Sequence, residues 1–161
     1  RLPLWSSAEA CQETVREFLP DADLVKLSDE ECFFVTGKHS ILDAADWLFE
    51  QGCKMVLYSM GKEGAMILTP HFSSHVENPE VRVKDTTGAG DAIIGAYLYC
   101  LAKNHITVSQ LADCLPEQVQ EWLTFAVYYA NYSITKSGAI ASYPDYTTFV
   151  KWMQEKRKKA H

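Results

Sequence analysis

Apolar residues recur at helical spacing in some stretches and run unbroken in others, so the chain is predicted to alternate helices and strands. Ser6-Ser7 ahead of Ala8-Glu9-Ala10 reads as a helix cap, and Cys11, Val15, Phe18 and Leu19 then repeat as far as Pro20. Residues 23–27 read as a short strand. Ser28-Asp29-Glu30-Glu31 follows as a capping box, Ser at the cap and Glu three residues on, opening a short helix that stops at Gly37. A second helix is expected over 41–51, ending at Gly52. Residues 54–60, Lys54-Met55-Val56-Leu57-Tyr58-Ser59-Met60, show a continuous buried-strand pattern. After a turn at 61–64, residues 65–69 return as a strand. A loop carrying Pro70 and Pro79 leads to the extended Val81-Arg82-Val83. The rest is mainly helical: 89–103, a short piece near 108–114, 116 to about 133, and 146–159.

This order predicts an α/β protein with a mainly parallel sheet and helices on its faces, which binds ligands outside the carboxyl ends of its strands. No repeat or linker is visible, so residues 1–161 are expected to form one unit. Composition changes the picture little. Hydrophobic residues make up 47% and charged residues 22%, ordinary values for a globular chain. The net charge of −6 argues against a general nucleic-acid or membrane-surface binder. No apolar run approaches the ~20 residues of a membrane span. The basic run Lys156-Arg157-Lys158-Lys159 reads as a solvated helix end. Five scattered cysteines fit free thiols in a reducing compartment, so a cytoplasmic protein is expected. None of the histidines, His39, His71, His75, His105 and His161, sits at ligand or triad spacing.

The chemistry concentrates in Thr86-Thr87-Gly88-Ala89-Gly90-Asp91. Glycines on either side of an alanine let the backbone turn sharply and present bare N–H groups at a helix start, where the dipole favours an anion. Ile93, Ala96, Tyr97, Cys100 and Leu101 form a stripe that anchors the turn to the core. A carboxylate at position 91 is well placed to start a helix. It is equally well placed to accept the proton of a hydroxyl that attacks a phosphoryl group held by the amides. On the residues alone both readings stand. The dinucleotide fingerprint fails, because position 93 is Ile93, and Gly37-Lys38-His39 with Cys32 before it is no Walker loop.

The block Asp85-Thr86-Thr87-Gly88-Ala89-Gly90-Asp91 resembles the second signature of the ribokinase (phosphofructokinase-B) family of carbohydrate kinases. Four further stretches resemble family elements in order, and most closely those of fructokinases. They are Arg1-Leu2-Pro3-Leu4-Trp5; Lys26-Leu27-Ser28-Asp29-Glu30-Glu31 with Thr36-Gly37; Gly61-Lys62-Glu63-Gly64-Ala65; and Thr135-Lys136-Ser137-Gly138-Ala139-Ile140-Ala141-Ser142-Tyr143-Pro144. The resemblance implies a ribokinase-like three-layer fold, of which this chain is the C-terminal, nucleotide-binding half. It implies ATP-dependent phosphorylation of a sugar hydroxyl, with fructose the expected acceptor and ribose, a sugar acid or a nucleoside as alternatives. A kinase-like protein that only binds partners is the alternative from another class.

Residue by residue, the resemblance implies Asp91 as base and the amides of Gly88, Ala89, Gly90 and Asp91 as anion hole. Ser59, Gly61 and Gly64 would shape the phosphate and ribose edge of ATP, although Gly61 and Gly64 also suit a plain hairpin turn. Adenine would lie between Gly138-Ala139 and the long helix, near Val127, which stands where the family carries Asn, and near Asn131. Glu31 would act in the Mg²⁺ environment through water, with Ser28 a helix cap. Asp85, with Thr87, Ser133, Lys136, Gly138 and Ser142, would cradle a monovalent cation, K⁺; a turn acid capping local amides is the plain reading of Asp85. The sugar-binding half and its lid are expected N-terminal to this sequence. The chain alone is therefore expected to be inactive or nearly so, and to pair through an open sheet edge with that half or with a second copy.

Overall fold

The computed structural model describes residues 2–159; Arg1, at the head of the first family-like stretch, and Ala160 and His161 lie outside the described residues. Six helices and four strands follow in the order α1 (Ala8–Phe18), β1 (Leu24–Ser28), α2 (Asp29–Thr36), α3 (Ile41–Glu50), β2 (Met55–Ser59), β3 (Ala65–Leu68), β4 (Ser73–Val76), α4 (Ala89–Lys103), α5 (Pro116–Ser133) and α6 (Tyr146–Lys159). The predicted caps are present. Ser7 accepts from the Ala10 amide, and Ser28 and Glu31 make both halves of the capping box on α2. Phe18 departs from its predicted face: it is exposed, and Leu19 takes the buried place.

The sheet runs β1-β2-β3-β4 and is mixed. β1 and β2 are parallel, with Ser28 opposite Ser59, while β2–β3 and β3–β4 are antiparallel. The reason is the length of the connections. The helices α2 and α3 carry the chain back for a parallel pairing, whereas the 61–64 turn admits only a hairpin. β4 falls where the pattern predicted loop. Of its four residues only Ser74 and Val76 point into the protein, and one of them is polar, so the alternation is nearly invisible to a hydrophobic count. Val81-Arg82-Val83 joins no strand.

Three layers result. Met55, Leu57, Ala65 and Ile67 pack against Ile93, Tyr97, Leu123 and Val127 of α4 and α5. Val56, Tyr58 and Leu68 face the other way, onto Val35, Ala44 and Leu48 of α2 and α3. β2 is therefore apolar on both faces, which is why its sequence does not alternate. Burying each such side chain contributes roughly 1.5–3 kcal/mol, so this double packing fixes β2 between the two helical layers. α6 closes the outside of α5 through Phe149 and Trp152, which take up Tyr128, Tyr129 and Tyr132 edge-on. Those tyrosines are packing residues. Among the described residues no helix is long and apolar enough to cross a membrane.

Candidate active site

The carboxyl ends of β1 and β2 open on a cleft of about 890 Å³. Ser28 and Ser59 stand on its floor, Gly61 and Gly64 on one wall, Val127 and Asn131 on another, and Ala89 and Gly90 at its head. The sheet puts them together: Ser59 Oγ donates to the Leu27 carbonyl at 3.3 Å, and α5 crosses the α4 side of the strands. Asn78 completes the cleft and was not anticipated. Its amide donates to the carbonyls of Gly61 at 2.8 Å and Lys62 at 3.1 Å, while its Oδ1 accepts from Asn131 at 2.8 Å. It thus ties the glycine turn to α5. In the sequence, Asn78-Pro79 signals only a turn.

The Gly-Ala-Gly turn caps α4 as the sequence predicts. Gly88 is the N-cap, at φ 79°, and a Cβ there would meet Tyr143 Oη at 2.8 Å and Ala139 Cβ at 3.0 Å. Tyr143 holds the turn from beneath by donating to the Gly88 carbonyl at 3.0 Å. The Ala89 amide donates to Thr86 O at 3.1 Å, so it is already engaged within the turn. The amides of Gly88, Gly90 and Asp91 make no backbone hydrogen bond among the described residues, leaving donors at the positive end of a 15-residue helix. Asp91 itself is exposed and lines a second, smaller hollow of about 290 Å³ with Tyr99, Tyr129 and Tyr143. The first turn of α4 therefore separates the two hollows.

Glu31 caps α2 through its Oε2, which accepts from the Ser28 amide at 2.9 Å and from Lys26 Nζ at 3.2 Å. Burial pushes its carboxyl up, but the Ser28 amide and the Lys26 ammonium outweigh this and hold it below the ordinary range. Neighbouring Asp29 and Glu30 line the cleft, and Asp29 accepts from Tyr58 Oη. No cluster of three or more metal-ligating side chains occurs among the described residues.

Gly138 and Ala139 are not among the cleft-lining residues. They sit behind the turn, where Gly138 N donates to Asp85 Oδ2 at 2.9 Å and Ala139 packs on Gly88. Asp85 Oδ1 accepts from the Thr87 amide at 2.9 Å, so one carboxylate joins the two loops. The Gly138 amide, then that of Thr87, holds the Asp85 carboxyl down at about 2. The Asp85 and Lys84 amides both donate to Ile134 O, which fastens the 133–138 segment beside the turn. The Ser133 and Ser142 hydroxyls are buried and turned onto the carbonyls of Ala130 and Ala139, and Lys136 lies over Tyr132. Both Asp85 carboxylate oxygens are thus taken up by amides, and the two hydroxyls are turned onto local carbonyls.

The Asp85 clasp has a pH signature. Its folded value lies below the ordinary 3.8, so its contribution is complete above about 3.8 and is lost as pH falls towards about 2. Amide exchange at Gly138 is expected to accelerate across that window, and in Asp85→Asn to be fast and pH-insensitive beyond intrinsic chemistry. Equal protection in the variant would show that the clasp does not hold the loops.

Residues 1–146 match the pfkB family carbohydrate kinase profile. The chain is 34% identical over 145 residues to fructokinase-2 of Solanum habrochaites, covering 89% of this chain and 43% of that protein. Its fold is similar to the fructokinase of Xylella fastidiosa solved with bound ATP, at TM-score 0.87 and 26% identity over 96% of this chain and 49% of that one. It is also similar to a fructokinase double mutant of Vibrio cholerae O395 solved with fructose, ADP and potassium, at TM-score 0.81 and 28% identity over 95% of this chain and 47% of the other. The chain thus spans about half the length of the proteins it matches, and its fold is ribokinase-like.

Proposed function

The chain belongs to the pfkB family of carbohydrate kinases, and on that premise we propose that it carries the nucleotide-binding and phosphoryl-transfer half of an ATP-dependent sugar kinase, with fructose as acceptor. The observation that supports this most is the α4 turn, which presents unpaired amides beside a cleft of nucleotide size and, on its other side, the exposed Asp91 carboxylate. ATP enters along Ser59, Gly61 and Gly64, with its base towards Val127 and Asn131 and its γ-phosphate at the Gly88, Gly90 and Asp91 amides. Asp91 takes the proton from the sugar hydroxyl as that oxygen bonds to the γ-phosphorus. The bond from phosphorus to the β-bridging oxygen breaks, ADP leaves, and the amides hold the charge on the phosphoryl group in transit.

Glu31 would contribute to holding Mg²⁺, which when bound would neutralise charge on the phosphates. Asp85, with Thr87, Ser133, Lys136, Gly138 and Ser142, would hold K⁺, which would supply positive charge beside the turn. The acceptor hydroxyls are gripped by parts of the fold that the longer relatives have and this chain does not span. On this reading the chain alone is inactive, and the free edge of β1, unpaired among the described residues, takes the next strand. Five free, buried cysteines support a reducing, cytoplasmic setting.

Calorimetry of this chain with ATP and ADP, beside phosphorylation of a sugar panel by the longer protein, tests the reading. Nucleotide binding with fructose the best acceptor is expected. Another preferred sugar would revise the acceptor alone, nucleotide binding without turnover on any sugar would favour a binding protein, and no nucleotide binding would overturn the kinase assignment.

A further inference from the structure

Asn131 stands on α5 in the wall that faces the expected nucleobase, and it is only 4% exposed. Around it the cleft is lined by Val81, Val83, Ile93, Val127 and Ile134, a lining that suits the faces of a flat ring better than the hydroxyls of a ribose. Val127, one turn earlier on the helix, offers a base no side-chain hydrogen bond. The charged side chains at the rim, Lys62 and Glu80, are exposed to water.

The direction of the Asn131 amide is set by a relay that starts at the glycine turn. Asn78 Nδ2 donates to two successive carbonyls, Gly61 and Lys62, so the Asn78 oxygen points the other way. That oxygen accepts from Asn131 Nδ2 at 2.8 Å, and the Val127 carbonyl accepts from the same nitrogen at 2.8 Å. Both Asn131 amide hydrogens are thereby engaged, and reversing the group would set its oxygen against two acceptors. Asn131 Oδ1 accepts no hydrogen bond among the described residues, where no buried side-chain oxygen or nitrogen lacks a partner. It is therefore open, and the space beside it is the cleft. A nearly buried amide thus presents one acceptor to the cleft and no donor.

We propose that Asn131 selects the nucleobase: its Oδ1 accepts a hydrogen bond from an exocyclic amine, so the cleft prefers adenine to hypoxanthine, which carries a carbonyl at that carbon. The inference rests on the kinase reading, because it takes the cleft to hold a nucleotide with its base at α5. A carbonyl in that place meets Oδ1 acceptor to acceptor, and the amide cannot turn over to receive it. Asn78 is a positioning residue in this scheme, acting through Asn131.

The test is titration calorimetry of this chain with ADP, with IDP and with purine riboside diphosphate, which carries neither group at that carbon. ADP is expected to bind about 5- to 50-fold more tightly than IDP, with purine riboside diphosphate between them. In Asn131→Leu the ADP affinity is expected to fall to within about threefold of that for IDP. The variant also takes away the donor to Asn78 Oδ1, which loosens the turn for both nucleotides alike, so the ratio of affinities is the reading. Thermal unfolding shows whether the variant folds; if it does not, the order of the three nucleotides on the unaltered chain decides. Equal binding of ADP and IDP, or a ratio that Asn131→Leu leaves unchanged, would overturn the selection. Binding of no nucleotide by the unaltered chain would remove the kinase reading, and the Asn131 assignment with it.

Discussion

On the proposed reading, replacing Asp91 by Asn is expected to lower ATP-dependent sugar phosphorylation about 10²–10⁴-fold, measured on a kinase of the relatives' length that contains this segment, the usual contribution of a positioned general base. Asn keeps the shape of the side chain at the third helical position of α4 and removes only its ability to take a proton. The turn should survive, because its supports lie elsewhere: Tyr143 on the Gly88 carbonyl, Thr86 on the Ala89 amide and Asp85 on Gly138. Nucleotide affinity, read by calorimetry, is therefore expected to stay within about threefold, since the amides that receive phosphate are backbone groups. That split separates the candidate roles of Asp91. A helix starter would show as a lower melting temperature with turnover intact. A base shows as lost kcat with KM for ATP and melting temperature nearly unchanged. Turnover equal to the unaltered enzyme would end the base assignment.

Helix bounds were legible where the signals are local. α4 begins at its glycine turn, α5 begins at Pro116, and Ser28 with Glu31 opens α2, each within a residue or two of the reading. The turn at 88–91 was legible as a glycine turn opening a helix because glycine and helix start are adjacent in sequence. Contacts across the chain were not. Asn78 and Asn131 are 53 residues apart, and nothing in either segment alone names the partner; Asp85 and Gly138 were grouped only by the family likeness, which did not foresee the amide-to-carboxylate bond that joins them. The likeness to a family grouped Gly138 and Ala139 with Val127 and Asn131, whereas in the structure the second pair lines the cleft and the first stands behind the turn. β4 was missed for another reason: a strand whose inward residues are Ser74 and Val76 gives a hydrophobic count nothing to work with.

Gly64→Ala is expected to be among the most destabilising single methyl additions in this chain, by about 3–5 kcal/mol, against about 1–2 kcal/mol for Gly61→Ala a few residues away. The two glycines flank one short turn and both line the cleft, so sequence treats them alike. Their surroundings differ. Gly61 has φ 53°, in the left-handed region, and a Cβ there would meet nothing within 4 Å, so alanine pays only the backbone strain. Gly64 has φ 99° and ψ −136°, a conformation side chains essentially never adopt. Its Cβ would also stand 2.0 Å from the Val76 carbonyl oxygen and 2.9 Å from Glu77 Cα, both backbone atoms at the end of β4. Relief requires β4 to move off β3, and β4 carries the chain to Asn78, which fastens the turn to α5. Loss of stability and loss of nucleotide affinity should therefore appear together in Gly64→Ala, while Gly61→Ala keeps most of both. Urea unfolding of the two variants, with calorimetry against ADP, measures this. Equal midpoints for the two would show that the close approach of β4 to the turn does not exist in solution.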